Sequence, residues 1–200
     1  MKPFGGCKNM KYRLTFYSFV LLFSITSFAT DFSTLIDTAE GGDPSAQRAL
    51  GLAYYFGGHK ELNKSIEVNS EKAIYWLKLA TESGDCFSPW FLGGLYFEGK
   101  FVAENKSLAA KYFLIAAQRG NVKAQRNIAS FYYYGKYGLQ DYERAYAWAT
   151  VANFIKKDNS NTQALLNMII PKLHNRDAAD KFVTDNMMQY LQPQGNCGNT

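Results

Sequence analysis

Between Ala46 and Tyr54, the residues Ala46, Leu50, Ala53 and Tyr54 recur as an i, i+4, i+7, i+8 apolar stripe that fits one face of a 3.6-residue helix. A second stripe, Ala73, Trp76, Leu77 and Ala80, has the i, i+3, i+4, i+7 form of the same period. Both stripes return further along the chain. Gly51, Gly93 and Ala129 correspond, as do Tyr54, Tyr96 and Tyr132, and Gly57, Gly99 and Gly135. In the second half Ala73, Ala109 and Ala145 align at a spacing of 36, with Trp76, Tyr112 and Trp148, then Ala80, Ala116 and Ala152. Between the first two copies the early half is spaced by 42, so six extra residues fall inside the polar stretch 57–72, which is expected to be a loop.

Punctuation agrees with a pair of helices per copy. Gly42, Gly84 and Gly120 stand where a helix must end, since glycine takes the left-handed conformation cheaply. Asp43, Asp85 and Asn121 follow at once and offer side-chain oxygens to cap the next helix. Pro44 suits a first helical position, whereas Pro89 sits about one turn in and is expected to distort that start. Small residues at Gly51, Gly93, Ala73 and Ala109 let helix axes approach closely, with the aromatics of the Tyr54 and Trp76 positions filling the space beside them. One hairpin cannot bury both its stripes, so copies must stack and build a core in a line.

The repeating segment resembles the Sel-1-like repeat, a relative of the tetratricopeptide repeat. That unit is an α-hairpin of about 36 residues running A-x-x-x-L-G-x-x-Y-x-x-G, a variable loop, then K-A-x-x-W-x-x-x-A-A-x-x-G. "AQRALGLAYYFG" with "EKAIYWLKLATESG" matches nearly throughout, and "SPWFLGGLYFEG" with "LAAKYFLIAAQRG" matches well. "AQRNIASFYYYG" with "ERAYAWATVA" lacks the first and the closing glycine. The resemblance implies an all-α fold, a right-handed α/α superhelical solenoid of about three hairpins. It also implies a non-enzymatic adaptor or scaffold that binds another protein or a peptide. A cysteine-rich secreted subgroup is associated with β-lactam binding or hydrolysis, which leaves an envelope-directed hydrolase or β-lactam-binding protein as the alternative; the paired cysteines of that subgroup are absent here.

The expected organisation is a solenoid over 30–154, with repeats at about 42–83, 84–119 and 120–154. "DFSTLIDTAEGGD" reads as the closing half of a preceding copy that caps the N-terminal side. The stretch 155–191 reads as a C-terminal capping helix pair, and 192–200 as a disordered tail. Residues 1–29 read as a signal peptide: a basic "KNMKYR", an apolar run of about 12 residues, and small Ser27 and Ala29 before a cleavage point at Thr30. That run is short for the ~20 residues a membrane span needs, so an exported, periplasmic or secreted chain is expected rather than an anchored one.

Charge narrows the partner. The whole chain carries +5, but Lys2, Lys8, Lys11 and Arg13 lie in the leader, and from Thr30 onward 18 basic residues face 17 acidic ones. So balanced a body offers no field for a phosphate backbone, and no nucleic acid is expected; a monomer with a protein partner is. Cys86 and Cys197 either bridge body to tail or are a small buried residue and a free thiol, and the second is the expectation. His59 and His174 have no cysteine or second histidine at ligand spacing, so neither metal nor cofactor is called for and no catalytic set emerges.

The better candidate is geometric. Residues two, six and nine places after Ala46 and its counterparts project from the opposite side of each first helix. They are Arg48, Leu52 and Tyr55; Trp90, Gly94 and Phe97; Arg126, Ser130 and Tyr133. In a hairpin solenoid that side lines the concave surface. Arg48, Tyr55, Trp90, Phe97, Arg126 and Tyr133 are therefore the expected partner-binding residues, arginine and large aromatics being enriched at interface hot spots. The competing reading is that the aromatics pack between successive first helices.

Overall fold

The computed structural model describes residues 31–59, 64–135, 140–156 and 160–191. The leader expected at 1–29 and the tail expected at 192–200 lie outside them. The helices are α1 (Asp31–Glu40), α2 (Pro44–Phe56), α3 (Ser70–Glu82), α4 (Phe87–Glu98), α5 (Lys106–Gln118), α6 (Val122–Tyr134), α7 (Tyr142–Ile155), α8 (Ser160–Ile169) and α9 (Arg176–Asn186). Short 3₁₀ turns follow at Ile170–Lys172 and Met188–Tyr190. The most extensive packing is within the pairs α2/α3, α4/α5 and α6/α7, and each pair leans on the next. The result is an all-α, α/α superhelical solenoid, as the repetition demands.

Each turn follows from its residues. Asp43 accepts from the Ala46 N–H at 2.6 Å and Asn121 from the Ala124 N–H at 2.9 Å, which satisfies donors that a helix start leaves orphaned. Gly42, Gly84 and Gly120 take φ of 92°, 96° and 91°, the left-handed exit that an L side chain resists. The helix α4 begins differently. Cys86 stays in the right-handed region without a side-chain cap, and Asp85 caps from one residue earlier, accepting from Phe87 and Ser88 N–H at 3.1 and 2.6 Å. Pro89 is thus only the third helical residue, where no intrahelical N–H bond exists to lose; the expected distortion is confined to this shift of the cap.

Two further expectations are corrected. The insertion at 57–72 is not wholly loop, because Gly58–His59 pairs antiparallel with Lys64–Ser65 as a two-residue ladder. Cys86, buried as expected, is disulfide-bonded, and the two other cysteines of the chain both lie outside the described residues.

The core is serial. Ala39, Ala46 and Leu50 form one cluster with Phe32, Leu35 and Ile36 of α1, so that helix caps the first hairpin. Leu77, Leu92 and Leu95 form a second. A third runs from Ala109 and Phe113 through Ile128, Trp148 and Val151 to Leu166 and Ile169 of the terminal helices. Close approach is set by missing side chains. A Cβ on Gly51 would meet the Leu77 side chain at 2.8 Å and the Ala73 carbonyl at 3.2 Å. One on Gly93 would strike the Phe113 ring at 2.7 Å.

Successive hairpins are also pinned by one recurring hydrogen bond. Gln47 Nε2 donates to the Ala39 carbonyl and Gln125 Nε2 to the Ala117 carbonyl, both at 3.1 Å and both buried. The middle copy holds Pro89 at this position and has no side-chain donor. Its equivalent carbonyl, Thr81 O, instead accepts from Arg119 at 2.7 Å, and the same guanidinium nitrogen reaches the Asp85 carbonyl at 2.7 Å. Thr81 O also accepts from the Gly84 N–H at 3.2 Å, whereas Asp85 O, whose i+4 residue Pro89 has no N–H, takes its donor from the neighbouring hairpin.

Candidate functional site

The first helices α2, α4 and α6 lie side by side, joined by aromatic contacts. The rings of Tyr55 and Phe91 meet edge-on at 4.9 Å, and those of Phe97 and Phe131 stack at 5.8 Å. On the face these helices share there is a pocket of about 270 Å³. Its walls are Tyr55, Trp90, Phe91 and Phe97. Its floor is Leu95 with Phe113, which comes from the second helix of the same hairpin. Glu98 and Asn127 stand at the rim.

Two adjacent glycines of α4 make this shape. Gly93 faces inward, and its lack of a side chain lets Phe113 lie directly beneath the helix. Gly94 faces outward, and a Cβ built there meets nothing within 4 Å. No positive φ is involved, so the backbone at Gly94 would accept any residue but proline; what the glycine contributes is empty space. The corresponding positions in the flanking copies carry the side chains of Leu52 and Ser130.

The structure distributes the six sequence-derived residues unevenly. Tyr55, Trp90 and Phe97 come together in the pocket. All three are half-buried, so wall and inter-helix packing are the same atoms: Phe97 also carries the Lys106 ammonium 4.2 Å over its ring. Arg48 is used as a strut. Its guanidinium donates to the Asp85 carboxylate at 2.5 Å and lies 6.0 Å from the Phe87 ring, which ties the first hairpin to the second. Tyr133 meets Tyr134 edge-on at 4.9 Å and Tyr142 at a tilt at 5.8 Å, outside the residues that line the pocket. Arg126 is half-buried, and among the described residues no acid or carbonyl engages its guanidinium.

Phe91, Leu95, Glu98, Phe113 and Asn127 were not singled out from sequence. Helical spacing projects one line of residues, whereas a pocket takes every side chain around a gap. The signal that could have found it is the double glycine at 93–94, one toward each side.

The electrostatics of the rim follow from pairing. Glu98 is neutralised by Lys100 at 2.7 Å, a contact that also holds the Lys100 ammonium above the usual lysine range. Lys106 is paired with Glu104 at 2.9 Å. Among the described residues, Lys123 and Arg126 of α6 have no acidic partner. Lys123 places its ammonium 5.0 Å over the Trp90 ring, and Arg126 follows one helical turn later. Away from the pocket, burial pushes the Tyr112 phenol up. Burial also lowers the Arg119 guanidinium, opposed by the nearby Asp85 charge. The side-chain polar groups lining the pocket are one carboxylate, one amide, one phenol and one indole N–H, a set suited to orienting a bound group.

Stacked helical hairpins whose first helices meet through aromatic contacts define the class: an α/α repeat protein. Comparison fixes the family. A model of the Sel1 repeat matches residues 44–85, 90–121 and 122–152, more than half the chain, and the chain belongs to the Sel1 repeat family. It is 32% identical over 106 residues to the ERAD-associated E3 ubiquitin-protein ligase component HRD3B of Arabidopsis thaliana, spanning 52% of this chain but only 16% of that relative. Among solved structures it is similar to a Sel1 repeat protein from Oxalobacter formigenes. That match has a TM-score of 0.61 at 28% identity and covers 68% of this chain and 97% of that one. It is also similar to c5321, a protective antigen of uropathogenic Escherichia coli with an SLR fold. Here the TM-score is 0.64 at 28% identity, over 80% of this chain and 33% of that one. Sel1 repeat proteins generally mediate protein–protein interaction and generally act as scaffolds or adaptors rather than enzymes.

Proposed function

We propose that this chain is an exported, monomeric, non-enzymatic adaptor that holds a segment of another protein against the shared face of α2, α4 and α6. The observation that carries the reading is the convergence of Tyr55, Trp90 and Phe97, from two successive repeats, on one open pocket. Aromatic side chains offer large contact area at little rotamer cost, and clusters of them with arginine are where binding energy concentrates. Export rests on the basic-apolar-small order of residues 1–29. Among the described residues no helix is long and apolar enough to cross a membrane.

The test uses the tagged protein expressed in its own host, with crosslinking and mass spectrometry of what it retains. Trp90→Ala and Arg126→Ala are each expected to lose the retained partner while the far-ultraviolet helical signal persists. Partner retention unchanged in both variants overturns the reading.

A further inference from the structure

The pocket opened by Gly94 is narrower in purpose than the face around it, and resting on the proposed docking role we infer that it is a socket for a single large apolar side chain of a partner segment that also carries an acidic group, a carboxylate that seats on Lys123 and Arg126.

Three observations converge. The first is size. At about 270 Å³ the pocket falls just below the roughly 300–1,000 Å³ of sites that enclose whole small molecules, which suits a side chain presented on a backbone that stays outside. The second is the lining. Trp90, Phe97 and Phe113 give an apolar wall and floor, and Glu98 at the rim is already paired to Lys100. An apolar group entering here leaves no buried charge without a partner. The third is the charge on α6, the helix that contributes Asn127 to the pocket. Arg48 is committed to Asp85 and Lys106 to Glu104, whereas Lys123 and Arg126, neighbours at i, i+3 on α6, have no acidic partner among the described residues. Lys123 sits on the outer face of the very tryptophan that walls the pocket. An acid on the occupant completes these cations; a basic occupant is repelled by them.

Gly94 makes the inference separable from folding. Its Cβ direction is open space, and any residue there except proline is a better helix former than glycine, so substitutions fill the socket without disturbing the core. The experiment pans a phage-displayed library of random nine-residue peptides on the purified protein, then measures the enriched peptides by fluorescence anisotropy against variants. The expected outcome is enrichment of sequences that pair a Leu, Met or Phe with at least one Asp or Glu. Their affinity is expected to fall roughly tenfold or more in Gly94→Met, less in Gly94→Ala, and roughly tenfold in Arg126→Glu, with weakening at raised salt. Thermal melting of both Gly94 variants is expected to match or exceed that of the parent. Enrichment of basic peptides, or no enrichment at all, overturns the socket. So does binding that Gly94→Met leaves intact. If in that last case Trp90→Ala still abolishes retention of the native partner, docking on this face stands and only the socket fails.

Discussion

At the residue scale, Gly93 and Gly94 have the same side chain, the same helix and adjacent places, yet opposite reasons for being glycine. The methyl that Gly93→Ala adds points into the Phe113 ring at 2.7 Å, in a core where neighbours are already in contact. Overpacking of that kind costs about 1–3 kcal/mol. The methyl that Gly94→Ala adds points into the pocket, relieving a helix of its glycine penalty at a gain of up to about 1 kcal/mol. Chemical denaturation of the two variants should therefore shift the midpoint in opposite directions. Equal shifts would mean that α4 does not lie on α5 in this register. The penalty at Gly94 is what a folded chain tolerates when the space has a use; helical angle alone put the two glycines on opposite faces, but not the gap that Gly94 leaves.

At the scale of elements, the joint between hairpins is one hydrogen bond that the middle copy makes by other means. Gln47 and Gln125 reach back to the carbonyls of Ala39 and Ala117, while Pro89 cannot, and Arg119 covers Thr81 O and Asp85 O instead. Arg119→Ala then strips the carbonyl of Asp85, a residue 8% exposed, of its donor, and leaves Thr81 O to the backbone N–H of Gly84. The expected loss is about 1–3 kcal/mol. Adding Pro89→Gln restores the side chain that the other copies use and should recover part of it. A double variant no more stable than Arg119→Ala alone, in equilibrium denaturation, refutes the equivalence. The repeat pattern was legible to the point of placing Gln47, Pro89 and Gln125 in one column. What the column does was not, because the acceptors lie in preceding helices and Arg119 lies outside the column.

At the scale of the whole molecule, a solenoid is as stable as its ends allow, since a terminal hairpin has a neighbour on one side only. The C-terminal cap is fastened by Tyr146 of α7, whose hydroxyl donates to the Asp180 carboxylate of α9 at 2.5 Å with Arg176 beside the ring, and by the stacking of Trp148 on Tyr190 at 5.2 Å. Burial first, and the bond to Asp180 second, hold the Tyr146 phenol above its ordinary value of 10.0. Because the folded value lies above the unfolded one, the protonated phenol favours the fold. Its contribution is intact below pH 10 and lost as pH rises through the folded value. Stability should fall on the alkaline side more steeply in the parent than in Tyr146→Phe. Asp180 is largely exposed, so the variant is expected to lose only about 1 kcal/mol at neutral pH, with faster amide exchange in α9. Identical alkaline slopes would remove Tyr146 from the fastening.

By itself the sequence determined the hairpin, its period, its caps and the linear core, because each depends on residues within about 36 positions of one another and is written three times. It also placed Tyr55, Trp90 and Phe97 on one face, a matter of helical angle alone. Tertiary structure decided which of the six projecting residues are occupied elsewhere, as Arg48 is by Asp85, and that Phe113 slides under Gly93 to floor a pocket that Gly94 leaves open. Those outcomes turn on distances between helices, and such distances are fixed only when all the side chains between two axes have found room together.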